Sequence, residues 1–214
     1  MVDELVPADY TSMDLIKAEE FDRKIKETFL PAFPAVVEQV IENCGILECT
    51  CIDIGSGTAL LSIELARKTA LTIHALEKAP AMFEVGMRNI KKEGLEGRIK
   101  PVLGDAHSMP FDDEFADLIV SRGSYHFWGD KQRVFREIIR VLKKGGVAFV
   151  GGGFGHGHSL ERLEMMVKLR DRSLAEDTRY YYSPEKISAA IDLADIPDYR
   201  IIYDETGLWA YIRK

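Results

Sequence analysis

The chain has 214 residues, 46% of them hydrophobic and 29% charged, and a formal net charge of −7. That balance fits one soluble α/β domain, alone or with a modest insertion, and excludes a disordered chain; the acidic charge disfavours sequence-independent binding to a nucleic acid backbone, which needs clustered Lys and Arg. No apolar run reaches the length of a membrane span, and the acidic start Met1-Val2-Asp3-Glu4 lacks the basic-then-apolar layout of a secretory signal, so a cytoplasmic location is expected.

Residues 11–30 carry Leu15, Ile16, Ile25, Phe29 and Leu30 at roughly helical spacing, and Pro31 and Pro34 interrupt the pattern. A second helix is predicted from Ala35 to Cys44, with Gly45 as its C-terminal glycine. Glu48 to Ile54 reads as a strand that runs into a glycine-rich turn, followed by a helix over Leu60–Arg67 and a second strand over Leu71–Leu76. Pro80 opens a helix that extends to Glu93. Ile99–Leu103 is a third strand, and Pro101 inside it favours an edge position, where the missing N–H does no harm. Asp117–Ser121 is a fourth strand, Lys131–Leu142 an amphipathic helix, and Val147–Val150 a fifth strand. A helix over Ser159–Ala175 and a tyrosine-rich connection with Tyr180, Tyr181 and Tyr182 come next. Ser183-Pro184-Glu185 has an N-cap residue with proline at the first helical position. Tyr199–Tyr203 and Leu208–Ile212 are too close in sequence for a parallel crossover and are expected to form a hairpin. Strands alternating with helices predict a mostly parallel, doubly wound sheet.

Cys44, Cys49 and Cys51 are odd in number and lack C-x-x-C spacing, so neither a disulfide framework nor a zinc site is expected. His156 and His158 stand two residues apart in Gly151-Gly-Gly-Phe-Gly-His-Gly-His158, but no cysteine or carboxylate partner accompanies them, and no metal is expected. The glycines of that segment suggest a mobile cover.

The most informative segment is Asp53-Ile-Gly55-Ser56-Gly57-Thr58, where a strand meets two glycines and a helix begins behind them. Glycine permits close backbone approach to a ligand, and a helix N-terminus offers unpaired N–H groups. Glu77, twenty residues past Gly57 at a strand end, is placed to accept hydrogen bonds from ribose hydroxyls. A nicotinamide-dependent oxidoreductase is disfavoured, because Leu60 stands where a dinucleotide fingerprint needs its third glycine. An acid before the first glycine suits a ligand with a positive charge better than a pyrophosphate. After the fourth strand, Tyr125, His126, Phe127 and Trp128 form a polar-aromatic cluster where open α/β sheets place ligands. His126 is the one residue there that can take a proton near neutral pH; packing under the next helix is the alternative. Arg122 suits either an acidic acceptor or a structural carboxylate.

Asp53-Ile-Gly55-Ser-Gly57-Thr58, together with Gly104-Asp105-Ala106, Met109–Asp117 and Leu142-Lys-Lys-Gly-Gly146, resembles the class I S-adenosylmethionine-dependent methyltransferases. The likeness runs from about residue 35 onward and is nearest to the small-molecule branch that includes ubiquinone/menaquinone methyltransferase-like proteins. It implies a Rossmann-like open sheet of about seven strands, mostly parallel with an antiparallel C-terminal hairpin and helices on both faces. It implies a single domain over 1–214, with helices in 1–45 forming part of a cover and 154–183 an insertion over the acceptor site. S-adenosylmethionine would be the cofactor, S-adenosylhomocysteine its product, and a small molecule the methyl acceptor. Asp53, Gly55 and Gly57 would line the methionine end of the cofactor, Glu77 would hold the ribose, and Ser56 and Lys78 beside them are further cofactor-binding candidates. Met82, Asp105 and Ala106 would meet the adenine. Ser121 would lie by the methionine moiety, and Arg122, Tyr125 and His126 are candidates on the acceptor side. No Asn/Asp-Pro-Pro-Tyr/Phe motif follows the fourth strand, which disfavours amino methylation of DNA bases. Protein or RNA methylation and non-catalytic cofactor binding are the rival readings.

Overall fold

The computed structural model describes residues 10–156, 183–204 and 207–214. Its helices are α1 (Leu15–Thr28), α2 (Phe33–Cys44), α3 (Leu60–Lys68), α4 (Pro80–Lys92), α5 (Lys131–Val141) and α6 (Pro184–Asp192), with short 3-10 turns at Tyr10–Ser12, Leu30–Ala32 and Tyr125–Phe127. The strands are β1 (Thr50–Ile54), β2 (Thr72–Glu77), β3 (Ile99–Leu103), β4 (Ala116–Arg122), β5 (Leu142–Gly153), β6 (Tyr199–Asp204) and β7 (Gly207–Arg213).

They form one seven-stranded sheet in the order β3-β2-β1-β4-β5-β7-β6. The first five strands pair in parallel, and β7 joins β5 and β6 antiparallel. This is the Rossmann-like sheet with a C-terminal hairpin that the resemblance implies, and Pro101 does lie on the edge strand. Strand order reverses at β1, between β2 and β4, and the carboxyl ends there open a crevice.

Side-chain alternation divides the core. On one face Ile52, Ile54, Ile119, Ala148 and Ala210 pack against α5 and α6. On the other, Cys51, Ile73, Val120, Phe149 and Trp209 pack against α2 and α3, with the Phe149 and Trp209 rings stacked 4.7 Å apart. Helix α5 buries Val134, Phe135, Ile138 and Val141, a single stripe at helical spacing. Asp130 caps it by accepting the Arg133 N–H at 3.0 Å. Ser183 caps α6 in the same way, and Gly45 ends α2 with a left-handed backbone at φ 67°.

Several element boundaries differ from the sequence expectation, and three of them have a visible physical cause. Helix α1 begins at Leu15, because the Asp14 side chain accepts the Lys17 N–H at 2.8 Å and sets the start there. Helix α2 begins at Phe33, two residues early, since Pro34 in the first turn has no N–H to lose. Strand β5 extends to Gly153 because β7 pairs along its whole glycine run, Gly151 to Trp209, Gly152 to Leu208 and Gly153 to Gly207.

That pairing needs the missing side chain. A Cβ on Gly151 would drive into the Leu208 carbonyl and stand 2.8 Å from the Trp209 Cα. The glycines at this point are therefore close-packed strand rather than part of a mobile cover. Among the described residues, no helix is long and apolar enough to cross a membrane. Gly151→Ala is expected to cost about 1–3 kcal/mol of stability in urea denaturation, from overpacking against fixed backbone; an unchanged midpoint would contradict the packing.

Candidate functional site

The carboxyl ends of β1 to β5 open into a cavity of about 930 Å³, near the top of the range of about 300–1,000 Å³ for ligand pockets. Its floor is the turn between β1 and α3. Gly55, Gly57 and Ala59 there adopt left-handed backbone at φ 66°, 57° and 64°. Gly55 has no room for a side chain, as a Cβ would collide with that of Ser124. Gly57 is different: a Cβ would meet only Met82 Cε, at 3.5 Å, so its face toward the cavity is an open cradle.

Strand ends bring three carboxylates to this wall. Asp53, at the end of β1, is 1% exposed and accepts the Ser62 hydroxyl at 2.6 Å. Burial pushes its carboxyl up to about 7, against the Ser62 hydrogen bonds and helped by the charge of Glu77. Glu77 ends β2 and accepts the Gly57 and Ala79 N–H groups, both at 2.8 Å. Burial raises its pKa, and those backbone donors oppose the rise. Asp105 follows β3 and takes Lys78 Nζ at 2.8 Å, His107 Nδ1 at 2.6 Å and the His107 N–H at 2.9 Å. Burial alone would raise Asp105, but these partners outweigh it and hold the carboxyl well below the usual range.

The opposite wall is aromatic. Phe29, the C-cap of α1, stacks on Phe154 at 5.9 Å, and Phe33, Phe127 and Trp128 complete it. Arg122 donates from Nε to the Gly153 carbonyl at 3.0 Å and lays its guanidinium over the Phe33 ring at 4.6 Å. His126 is 4% exposed and meets Phe127 with ring centroids 3.9 Å apart. Burial, then the Lys131 charge, lowers its imidazole to about 4.

Asp53, Gly55, Ser56, Gly57, Glu77, Lys78, Met82, Asp105, Ala106, Arg122 and His126 thus converge on one cavity. Two expected site residues do not. Ser121 is fully buried behind the wall, since strand alternation turns it inward. Its hydroxyl sits 2.6 Å from that of Ser124, which bonds the Ile54 carbonyl at 3.0 Å and itself lines the cavity. Tyr125 opens a 3-10 turn whose three-residue period aligns it with Trp128, and it packs into the core against Trp128 and Phe135. Burial pushes its phenol well up.

His156 lies with Nε2 3.1 Å from Nε2 of the buried Gln39 in α2. His158, Tyr180, Tyr181, Tyr182 and the helix expected over 159–175 fall outside the described residues.

The residues that sequence reasoning missed come from α1 and α4. Asp22, Lys26 and Asn89 form a polar cluster beneath the turn, with Asn89 Nδ2 donating to the Thr58 carbonyl at 2.9 Å. An asparagine inside a helix, where its side chain competes for backbone hydrogen bonds, marks the position in the sequence but not its distant partners.

A family model described as a methyltransferase domain matches residues 52–150. The chloroplastic 2-methyl-6-phytyl-1,4-hydroquinone methyltransferase of Arabidopsis thaliana is 36% identical over 102 residues, which are 47% of this chain and 29% of that protein. A ubiquinone/menaquinone biosynthesis C-methyltransferase from Idiomarina loihiensis is 31% identical over 97 residues, 44% of this chain and 39% of that protein. A crystal structure from Methanococcus maripaludis, described as a candidate S-adenosyl-L-methionine-dependent methyltransferase, is 38% identical with a TM-score of 0.85 and covers 94% of this chain and 93% of its own. The chain belongs to the S-adenosylmethionine-dependent methyltransferases.

The chain spans under two-fifths of the length of the curated relatives it matches. Its matched core, 52–150, contains every carboxylate of the site and leaves out α1 and α2, which supply part of the aromatic wall. The depressed His126 pKa gives a testable sign. Its imidazole C–H resonances are expected to titrate near pH 4, so the neutral ring supports the fold above the ordinary value of about 6.5 and that support is lost as pH falls toward 4. A midpoint above 6 in an NMR titration would contradict the burial.

Proposed function

We propose that the protein transfers a methyl group from S-adenosylmethionine to a small-molecule acceptor, leaving S-adenosylhomocysteine. The observation that carries this reading is the open glycine cradle at Gly57 beside three carboxylates, facing an aromatic chamber in the same cavity.

The residues present fit the cofactor. Asp53 and the turn Gly55-Ser56-Gly57 would hold its cationic methionine end, Glu77 and Lys78 its ribose, and Met82, Asp105 and Ala106 its adenine. Bound there, the cofactor supplies an electrophilic methyl group on a sulfonium. Ser124, and not Ser121, stands at the wall where β4 ends.

On the other side, Phe29, Phe33, Phe127, Trp128 and Phe154 exclude water and orient the acceptor, and Arg122 sets a fixed positive charge at the end of β4. His126 stays neutral near pH 7 and is a weak base. Positioning, and not proton removal by a strong base, is the main contribution of the chain; holding two reactants in line is worth up to about 7–11 kcal/mol in well-oriented systems. The helices within 1–45 serve as part of the cover, supported by Ile25, Phe29 and Phe33 at the wall, and Phe154 opens the insertion 154–183 on that same side. A relative named as a hydroquinone methyltransferase, and another named as a C-methyltransferase of ubiquinone/menaquinone biosynthesis, agree with an aromatic chamber. The acidic net charge disfavours a nucleic acid acceptor, and a cytoplasmic location fits the free thiols of Cys44, Cys49 and Cys51.

Calorimetry with S-adenosylhomocysteine tests the assignment. Glu77→Ala is expected to weaken binding by about tenfold or more, through loss of charge-assisted hydrogen bonds. Unchanged affinity would refute the role of Glu77.

A further inference from the structure

Helix α1 contributes Phe21, Ile25 and Thr28 to the cavity, and its C-cap Phe29 joins them, yet the helix lies outside the matched methyltransferase core. What ties it to the cofactor turn is a closed set of hydrogen bonds. Asn89 of α4 donates from Nδ2 to the Thr58 carbonyl at 2.9 Å and to Asp22 Oδ1 at 3.0 Å. Its Oδ1 accepts Lys26 Nζ at 2.7 Å, and the same ammonium donates to Asp22 Oδ2 at 2.6 Å. Asp22 and Asn89 are each 8% exposed.

The placement is specific. Met82, Gly86 and Asn89 lie on one stripe of α4, at i, i+4 and i+7. Met82 faces Gly57, and a Cβ on Gly86 would stand 3.2 Å from the Gly57 carbonyl. Asn89 continues that stripe and holds the next carbonyl, between the left-handed residues Gly57 and Ala59. The donors of a single amide thus reach the cofactor turn on one side and the cover helix on the other.

We propose that Asn89 is a positioning residue that couples occupancy of the glycine turn to the docking of α1. The proposal rests on the cofactor reading above. Ordering the turn fixes the Thr58 carbonyl, which fixes the Asn89 amide, which presents its second N–H to Asp22 and its oxygen to Lys26. Helix α1 then seats Phe21, Ile25 and Phe29 in the wall. Coupling of this kind is reciprocal, so loosening α1 weakens cofactor binding at a distance.

Asp22 does not line the cavity, which makes Asp22→Asn the informative variant. It keeps the Asn89–Thr58 contact, removes the charge that holds Lys26 and leaves one acceptor oxygen where Asp22 offers two, to Asn89 and to Lys26. Calorimetry and hydrogen exchange are run on the full chain with S-adenosylhomocysteine as the probe. In the unaltered protein the ligand is expected to slow exchange across Leu15–Thr28. In Asp22→Asn the affinity falls by about fivefold or more, and the ligand no longer protects α1. Asn89→Ala, where it folds, loses about tenfold in affinity together with the protection. A lower melting temperature of Asp22→Asn with unchanged affinity and unchanged protection of α1 would overturn the coupling and leave the cofactor reading intact. Failure of the unaltered protein to bind S-adenosylhomocysteine would overturn the cofactor reading and the coupling with it.

Discussion

The five-residue turn from Gly55 to Ala59 has left-handed backbone at every second position, a conformation that ordinary residues resist and that a short turn does not hold alone. Three of its backbone groups are fixed from outside the turn. The Ser56 N–H donates to the Leu76 carbonyl at 3.0 Å, the Gly57 N–H to Glu77, and the Thr58 carbonyl accepts Asn89. Ser124, just past the end of β4, fills the space that a side chain on Gly55 would need. The turn is therefore the point on which β1, β2, β4 and α4 depend jointly, and the cavity takes its shape from it.

That dependence divides the cavity electrostatically. Carboxylates gather at the ends of β1 and β2 and just after the edge strand β3, all on one side of the switch in strand order. Their surroundings separate them: Asp53 is deeply buried and pushed up to about 7, while Asp105 is held ionised by Lys78 and His107. The far wall is built from α1, α2 and the ends of β4 and β5, and it is mostly aromatic with Arg122 fixed among the rings. A cationic cofactor beside an apolar acceptor chamber is the arrangement such a division serves, because excluding water strengthens the charge interactions on one side and orients the partner on the other.

Much of this was legible in the sequence, for physical reasons that can be named. Glycines between a strand and a helix, acids at strand ends and a proline in an edge strand are local signals, and local geometry decides them. Ser121 and Tyr125 were misplaced because their directions depend on strand parity and on a 3-10 turn, features a short polar-aromatic run does not reveal. The glycines of β5 read as a flexible cover, and instead they admit the β7 backbone at close range. Asn89 with Asp22 and Lys26 escaped notice because its partners lie 67 and 63 residues away, beyond any local pattern.

The central claim is transfer of a methyl group to a small molecule, and the most direct test is incorporation of label from methyl-labelled S-adenosylmethionine into a cell extract divided into small-molecule and macromolecular fractions. The account predicts label in the small-molecule fraction, abolished when the Gly57 cradle is filled by Gly57→Val. Label confined to protein or RNA, or no transfer despite tight cofactor binding, would contradict it.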